Sequence, residues 1–149
     1  EDIAATIITQ KVDGLILTNT TLDRPAYLPP AFSHRKGGLS GVPLKDKSTA
    51  VIANFYKLTK GALPIVGVGG ISSGADAYEK IKAGASLVQL YSALVFRGPD
   101  VVKTINNDIL NYLKRDGFNH VSEAVGTGSG QSRAKNKKPG GIKKAANGL

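Results

Sequence analysis

Ile65-Val66-Gly67-Val68-Gly69-Gly70-Ile71-Ser72-Ser73-Gly74, followed by Ala75-Asp76-Ala77-Tyr78-Glu79-Lys80-Ile81-Lys82-Ala83-Gly84, is the passage from which the architecture is read. Ile65 to Val68 is a short apolar run bounded by turn residues, which reads as a buried strand. Gly69-Gly70 ends it. A helix is expected from about Gly74 to Lys82, with Gly84 as its cap. Strand, glycine turn and helix therefore follow one another without a break. The same unit recurs on either side. Upstream, Gly14-Leu15-Ile16-Leu17 predicts a strand and opens into Thr18-Asn19-Thr20-Thr21. Ser48 is expected to cap a helix from Thr49 to about Lys60, with Val51, Phe55 and Leu58 on its apolar face and Gly61 closing it. Downstream, Leu87 to Tyr91 predicts a third strand and Ser92 to Phe96 a short helical turn. Gly98-Pro99 starts a last helix to about Asp116, with Val102, Ile105, Ile109 and Leu113 facing inward and Gly117 stopping it.

Residues 1–11 read as the end of a helix, with Ile3, Ile7 and Ile8 at helical spacing. The order is thus a helix and three strand–helix units. Strands buried on both faces and alternating with helices imply a parallel sheet. Three units are too few to close an eight-stranded barrel of roughly 250 residues. The economical expectation is an α/β chain forming about the last three βα units of a (β/α)8 TIM barrel. An open three-layer sheet is the structural alternative.

The chain has 149 residues, 41% of them hydrophobic, enough for one domain with a core. It contains no cysteine and no methionine, so disulfides, thiol nucleophiles and cysteine-ligated metals are excluded within it. His34 and His120 are too far apart for metal-ligand spacing. No run approaches the ~18 apolar residues of a spanning helix. The chain reads as a piece of a longer polypeptide. Of the net charge of +9, residues 126–149 supply six positive charges (Arg133, Lys135, Lys137, Lys138, Lys143 and Lys144) and no negative one. Two regions are expected: a globular part over 1–126 and a disordered basic tail over 127–149.

In a barrel, sites form at the C-terminal ends of the strands. Thr18-Asn19-Thr20-Thr21 offers hydroxyls and an amide but nothing titratable, which suits reading a polar heterocycle or holding a carboxylate. The same run suits a strand-end turn, and composition does not choose between the two. Gly37-Gly38-Leu39-Ser40-Gly41 lies in a long connection (residues 22–47) that carries four of the seven prolines. Gly67 to Gly74 runs into a helix N-terminus, and Tyr91-Ser92 into a short turn. Such neighbouring strand ends favour a phosphorylated ligand. No Gly-x-x-x-x-Gly-Lys-Ser/Thr is present, and Gly67-x-Gly69-x-x-Ser72 is a poor dinucleotide fingerprint.

Asp13 to Thr21, Gly37 to Gly41, Gly67 to Gly74 and Ala83 to Tyr91 together resemble the class 2 dihydroorotate dehydrogenases, in that family's order and spacing. The resemblance covers residues 1 to about 126. It implies an FMN-containing barrel that oxidises dihydroorotate to orotate in pyrimidine biosynthesis and passes the electrons to ubiquinone. By position, Asn19 and Thr20 would hydrogen-bond orotate, and Thr18 would touch the flavin. Gly41 and Gly70 would hold FMN by their backbones, and Tyr91 and Ser92 would bind its phosphate. Ser92 stands where the family usually has threonine and keeps the hydroxyl.

The family's general-base serine and its flavin-contacting lysine belong to parts of the barrel outside these residues. None of Ser33, Ser40, Ser48, Ser72 or Ser73 lies in the base's motif, so no catalytic residue is expected here. The quinone tunnel and membrane contact likewise belong to a missing N-terminal region. The implied location is the mitochondrial inner membrane in a eukaryote and the cytoplasmic membrane in a bacterium. Two other readings stand beside this one: another phosphate-binding FMN barrel, and a non-catalytic truncated product that binds a polyanion through its tail. The tail has no aromatic residue to stack on bases, so no specific nucleic acid is expected.

Overall fold

In the computed structural model, which describes residues 2–130, β1 (Leu15–Leu17), β2 (Ile65–Val68) and β3 (Leu87–Gln89) form one parallel sheet in the order β1-β2-β3. Leu15 pairs with Ile65 and Leu17 with Gly67, while Val66 pairs with Leu87 and Val68 with Gln89. The three C-terminal ends therefore share one edge. The helices are α1 (Asp2–Thr9), α2 (Pro30–Ser33), α3 (Lys45–Leu58), α4 (Gly74–Ala83), α5 (Ser92–Arg97), α6 (Asp100–Arg115) and α7 (Val121–Ala124).

One face of the sheet is packed. Ile65 on β2 joins Ile52 and Tyr56 of α3, Tyr78 and Ile81 of α4 and Leu113 of α6 in the main core. A smaller cluster joins Ile71, Ala77, Ala93, Val101 and Ile105. The other face is open: Ile16 is 68% and Leu87 66% exposed. Side chains alternate across a strand, so each strand divides its residues between the two faces. This corrects the expectation of strands buried on both faces. The helices pack on one face of the three strands, and Ile16 and Leu87 lie on the uncovered face.

The helix faces also differ from expectation. α3 begins at Lys45, and Ser48 lies inside it rather than capping it. The buried stripe is Ser48-Ile52-Tyr56, whereas Leu58 is exposed. A buried serine was not readable as core because its acceptor, the Val68 carbonyl on β2, is distant in sequence. On α6 Ile105 and Leu113 are buried as expected, but Val101 is buried with them and Val102 is exposed, and on α1 the buried residue is Ala4, with Ile3 and Ile8 exposed. α4 meets its expected bounds. Ser73 Oγ accepts from Asp76 N–H, and Gly84 ends the helix at φ +134°.

α7 was not foreseen. His120 caps it, with Nδ1 accepting from Ser122 N–H, while the Glu123 carboxylate takes the His120 N–H in return. Histidine in the place of serine or threonine hides the capping-box pattern. Beyond it, Gly126 and Gly128 N–H groups cap the Ile81 and Lys82 carbonyls at the end of α4. Of the first residues assigned to the tail, Ser129 is buried, while Thr127, Gly128 and Gly130 are exposed. Residues 131–149, the remainder of that expectation, lie outside the described residues. Among the described residues no helix is long and apolar enough to cross a membrane.

Candidate functional site

The loops at the shared strand edge enclose a cleft of about 470 Å³. Its lining includes all seven residues singled out from the sequence: Thr18, Asn19 and Thr20 after β1, Gly41 in the long connection, Gly70 after β2, and Tyr91 and Ser92 after β3. Arg97 is the one charged residue in the lining, and no carboxylate is present there. Such a lining favours an anion or a polar neutral ring over a cation.

Each member is held by identifiable bonds. Thr18 N–H donates to the Val68 carbonyl and extends the ladder by one residue. Asn19 Oδ1 accepts from Thr20 N–H at 2.8 Å. That bond leaves the Asn19 NH2 group as the donor for a ligand. Gly41 has φ +83° and Gly70 φ +71°, a region that side chains rarely adopt. A Cβ on Gly70 would stand 2.5 Å from Lys45 Cα and N, so backbone meets backbone there. Ser40 Oγ and Ser92 Oγ lie 3.2 Å apart, which joins the long connection to the end of β3.

The long connection is ordered by contacts invisible in the sequence. Thr21 and Leu39 exchange both backbone hydrogen bonds, at 3.0 and 2.7 Å. The Arg24 guanidinium donates to the carbonyls of Thr21, Asp23, Arg35 and Gly37. Lys47 on α3 pairs with Asp23 and, by hydrogen bond and charge, holds that carboxyl below the ordinary carboxylate range. Glycine spacing pointed to residues 37–41 but not to the arginine that gathers them.

The α4 N-terminus is less open than expected. Ser72 N–H already donates to Asp76, as do the Ser72 and Ser73 hydroxyls. Burial opposes the charge on Asp76, but these donors and nearby Lys45 outweigh it and lower its pKa. The donors still suited to an anion are the backbone at Gly69-Gly70, the Gly41 turn and the Ser92 hydroxyl. Glycines at close approach, a hydroxyl and a carboxylate-free lining fit the phosphate and ring of a flavin mononucleotide.

Sequence reasoning also missed Lys80. It is fully buried on α4, and its ammonium donates to Lys45 O, Ser48 Oγ and Thr49 Oγ1. Burial pushes its pKa from 10.5 down to about 8, with Glu79 and Asp76 opposing that shift and Lys45 adding to it. The unfolded chain therefore keeps a proton that the folded chain has released in this window. Stability should accordingly rise as pH increases from about 8 towards 10, until Tyr78, raised to about 12 mainly by burial, begins to oppose it. Urea midpoints across that range check this. A flat or falling profile that Lys80→Met leaves unchanged would refute the assignment.

The profile of the dihydroorotate dehydrogenase family matches residues 1–113. The mitochondrial dihydroorotate dehydrogenase (quinone) of Mus musculus is 55% identical over 126 residues, covering 85% of this chain and 32% of the mouse protein. The dihydroorotate dehydrogenase (quinone) of Xanthobacter autotrophicus is 54% identical over 125 residues, covering 84% of this chain and 35% of the relative. The ligand-free crystal structure of the Eimeria tenella enzyme superposes with a TM-score of 0.81 at 44% identity, covering 85% of this chain and 35% of that one. The chain thus spans about a third of the length of these relatives. With the parallel sheet and the cleft at its C-terminal edge, these matches show that the chain belongs to the dihydroorotate dehydrogenase family, in its quinone-linked class, and forms part of that family's TIM barrel.

Proposed function

We propose that this chain supplies part of the FMN and orotate site of a dihydroorotate dehydrogenase (quinone), an enzyme of pyrimidine biosynthesis. The observation that carries the reading is the convergence of Thr18, Asn19, Thr20, Gly41, Gly70, Tyr91 and Ser92 on one cleft. Asn19 and Thr20 orient the pyrimidine through its polar edge, and Thr18 lies against the flavin. The Gly41 and Gly70 backbones admit the cofactor closely, with Tyr91 and Ser92 at its phosphate. FMN supplies the two-electron acceptor for dihydroorotate oxidation, and ubiquinone reoxidises it.

Proton abstraction from the pyrimidine C5 is assigned to residues outside 1–149. Ser48 is buried, with its hydroxyl donating to the Val68 carbonyl of β2, so it does not suit a base. Membrane contact and the quinone path are likewise assigned elsewhere in the enzyme. In a eukaryote the location is the mitochondrial inner membrane, in keeping with the mitochondrial name of the mouse relative.

The test is Asn19→Ala in the native polypeptide that carries residues 1–149. Orotate binding and turnover should weaken by roughly 1–3 kcal/mol, because a buried ligand group loses its partner. Bound flavin, read from its absorbance, should be unchanged. Unaltered dihydroorotate kinetics in that variant would remove Asn19 from the site, and a colourless wild-type protein would sink the flavin reading.

A further inference from the structure

A charge enclosed without a carboxylate partner raises the question of what keeps it there. Lys80 is 0% exposed and is the largest fully buried side chain among the described residues. Its three acceptors are neutral: Lys45 O at 3.2 Å, Ser48 Oγ at 3.2 Å and Thr49 Oγ1 at 2.9 Å. The nearby carboxylates of Asp76 and Glu79 pair instead with the Lys45 ammonium, at 3.4 and 3.7 Å.

The fold does not need this ammonium. Ser48 Oγ donates to the Val68 carbonyl, and Thr49 Oγ1 donates to Lys45 O, so both hydroxyls keep a bond when Lys80 is removed. A methionine of similar reach strands no donor. Exchanging buried charge for apolar groups of like volume is often neutral or stabilising.

Lys80 lies against Gly67 of β2, two residues before the Gly69-Gly70 turn. Its Cδ lies 3.5 Å from where a Cβ on Gly67 would stand. Ser48 Cβ is 3.1 Å from the corresponding point on Gly69, and Lys45 Cα 2.5 Å from that on Gly70. Two of the three residues that hold the ammonium, Lys45 and Ser48, thus lie against the glycine turn. A cation inside low-dielectric protein is weakly screened, so an anion at that turn feels more of its field than it would of a solvated one.

We propose that Lys80 is a positioning residue for the phosphate end of the bound cofactor: it fixes the Gly69-Gly70 turn through Lys45 and Ser48, and it places a positive charge behind that turn. The proposal rests on the flavin reading above. It predicts a defect confined to the phosphate, which riboflavin lacks.

The experiment uses the native polypeptide that carries residues 1–149, stripped of flavin and titrated with FMN and with riboflavin by fluorescence quenching. In Lys80→Met the FMN dissociation constant should rise roughly tenfold or more, while that for riboflavin stays within about twofold. The thermal midpoint of the flavin-free protein should not fall. Equal weakening towards both flavins, or no weakening towards either, overturns the proposal. Ser48→Ala keeps the charge but removes the tie to Val68. It should show the same selectivity to a smaller degree, and it decides the matter if Lys80→Met does not fold. Wild-type protein that binds neither flavin overturns the flavin reading and this proposal together. Wild-type protein that prefers FMN, with no loss of that preference in either variant, overturns this proposal alone.

Discussion

Gly70→Ala is expected to leave the enzyme largely free of flavin. Gly70 has φ +71°, where an L side chain meets its own carbonyl at a cost of about 1–2 kcal/mol. The new methyl would also stand 2.5 Å from Lys45 Cα and N. Those are backbone atoms at the start of α3 and cannot swing aside as a side-chain end would. Overpacking of this kind costs about 1–3 kcal/mol. Relief requires the glycine turn to withdraw from α3, which displaces the backbone proposed to hold FMN. Flavin retained per polypeptide after gel filtration is the readout. Full flavin occupancy together with an unchanged melting temperature would show that the turn is not close-packed as described.

Ile52→Ala should produce the largest loss of stability without touching the cleft. Ile52 is 0% exposed at the centre of the main core. Its Cδ1 lies 3.0 Å from the position a Cβ on Gly67 would take, so it fills the space a bare strand residue leaves. Removing it should cost about 2–5 kcal/mol, the range for large aliphatic residues truncated to alanine. Against a domain stability of about 5–15 kcal/mol, that is a substantial fraction. The urea midpoint should fall at constant slope. A shift under about 1 kcal/mol would mean that the β2–α3 contact collapses to fill the gap.

The order of the three strands and of α1, α3, α4, α5 and α6 was legible because each depends on local signals, whereas α2 and α7 were not. Gly84 at φ +134° ends α4, and the run Ile65 to Val68 forms a strand whose glycine turn was plain beforehand. The grouping of the seven site residues was legible for a related reason, since parallel strands bring their C-terminal ends to one edge. The buried faces were less legible. Ser48 displaces the expected stripe of α3 because a hydroxyl is buried when a strand carbonyl accepts from it, and that carbonyl is not adjacent in sequence. Lys80 sits in a pattern that reads as a solvated helix face, yet its three acceptors come from another helix. Arg24 reads as a loop charge, yet it gathers four carbonyls. Polar groups of this kind owe their positions to tertiary partners, which periodicity does not register.

The contact between Ser40 and Ser92 spans 52 positions of the chain and crosses the end of β2. The cleft exists only when the first and third strand–helix units are docked on the second at the same time, because no single unit contains two sides of it. A molecule that occupies the cleft binds the assembled form and has no counterpart site in the unfolded chain. Its concentration then enters the folding equilibrium by mass action: at a hundred times its dissociation constant, such a ligand adds about 2.7 kcal/mol to the folded side. Under the proposed function that ligand is FMN, which would then stabilise this part of the barrel as well as serve as a reagent, so that a cell short of it would carry less folded protein.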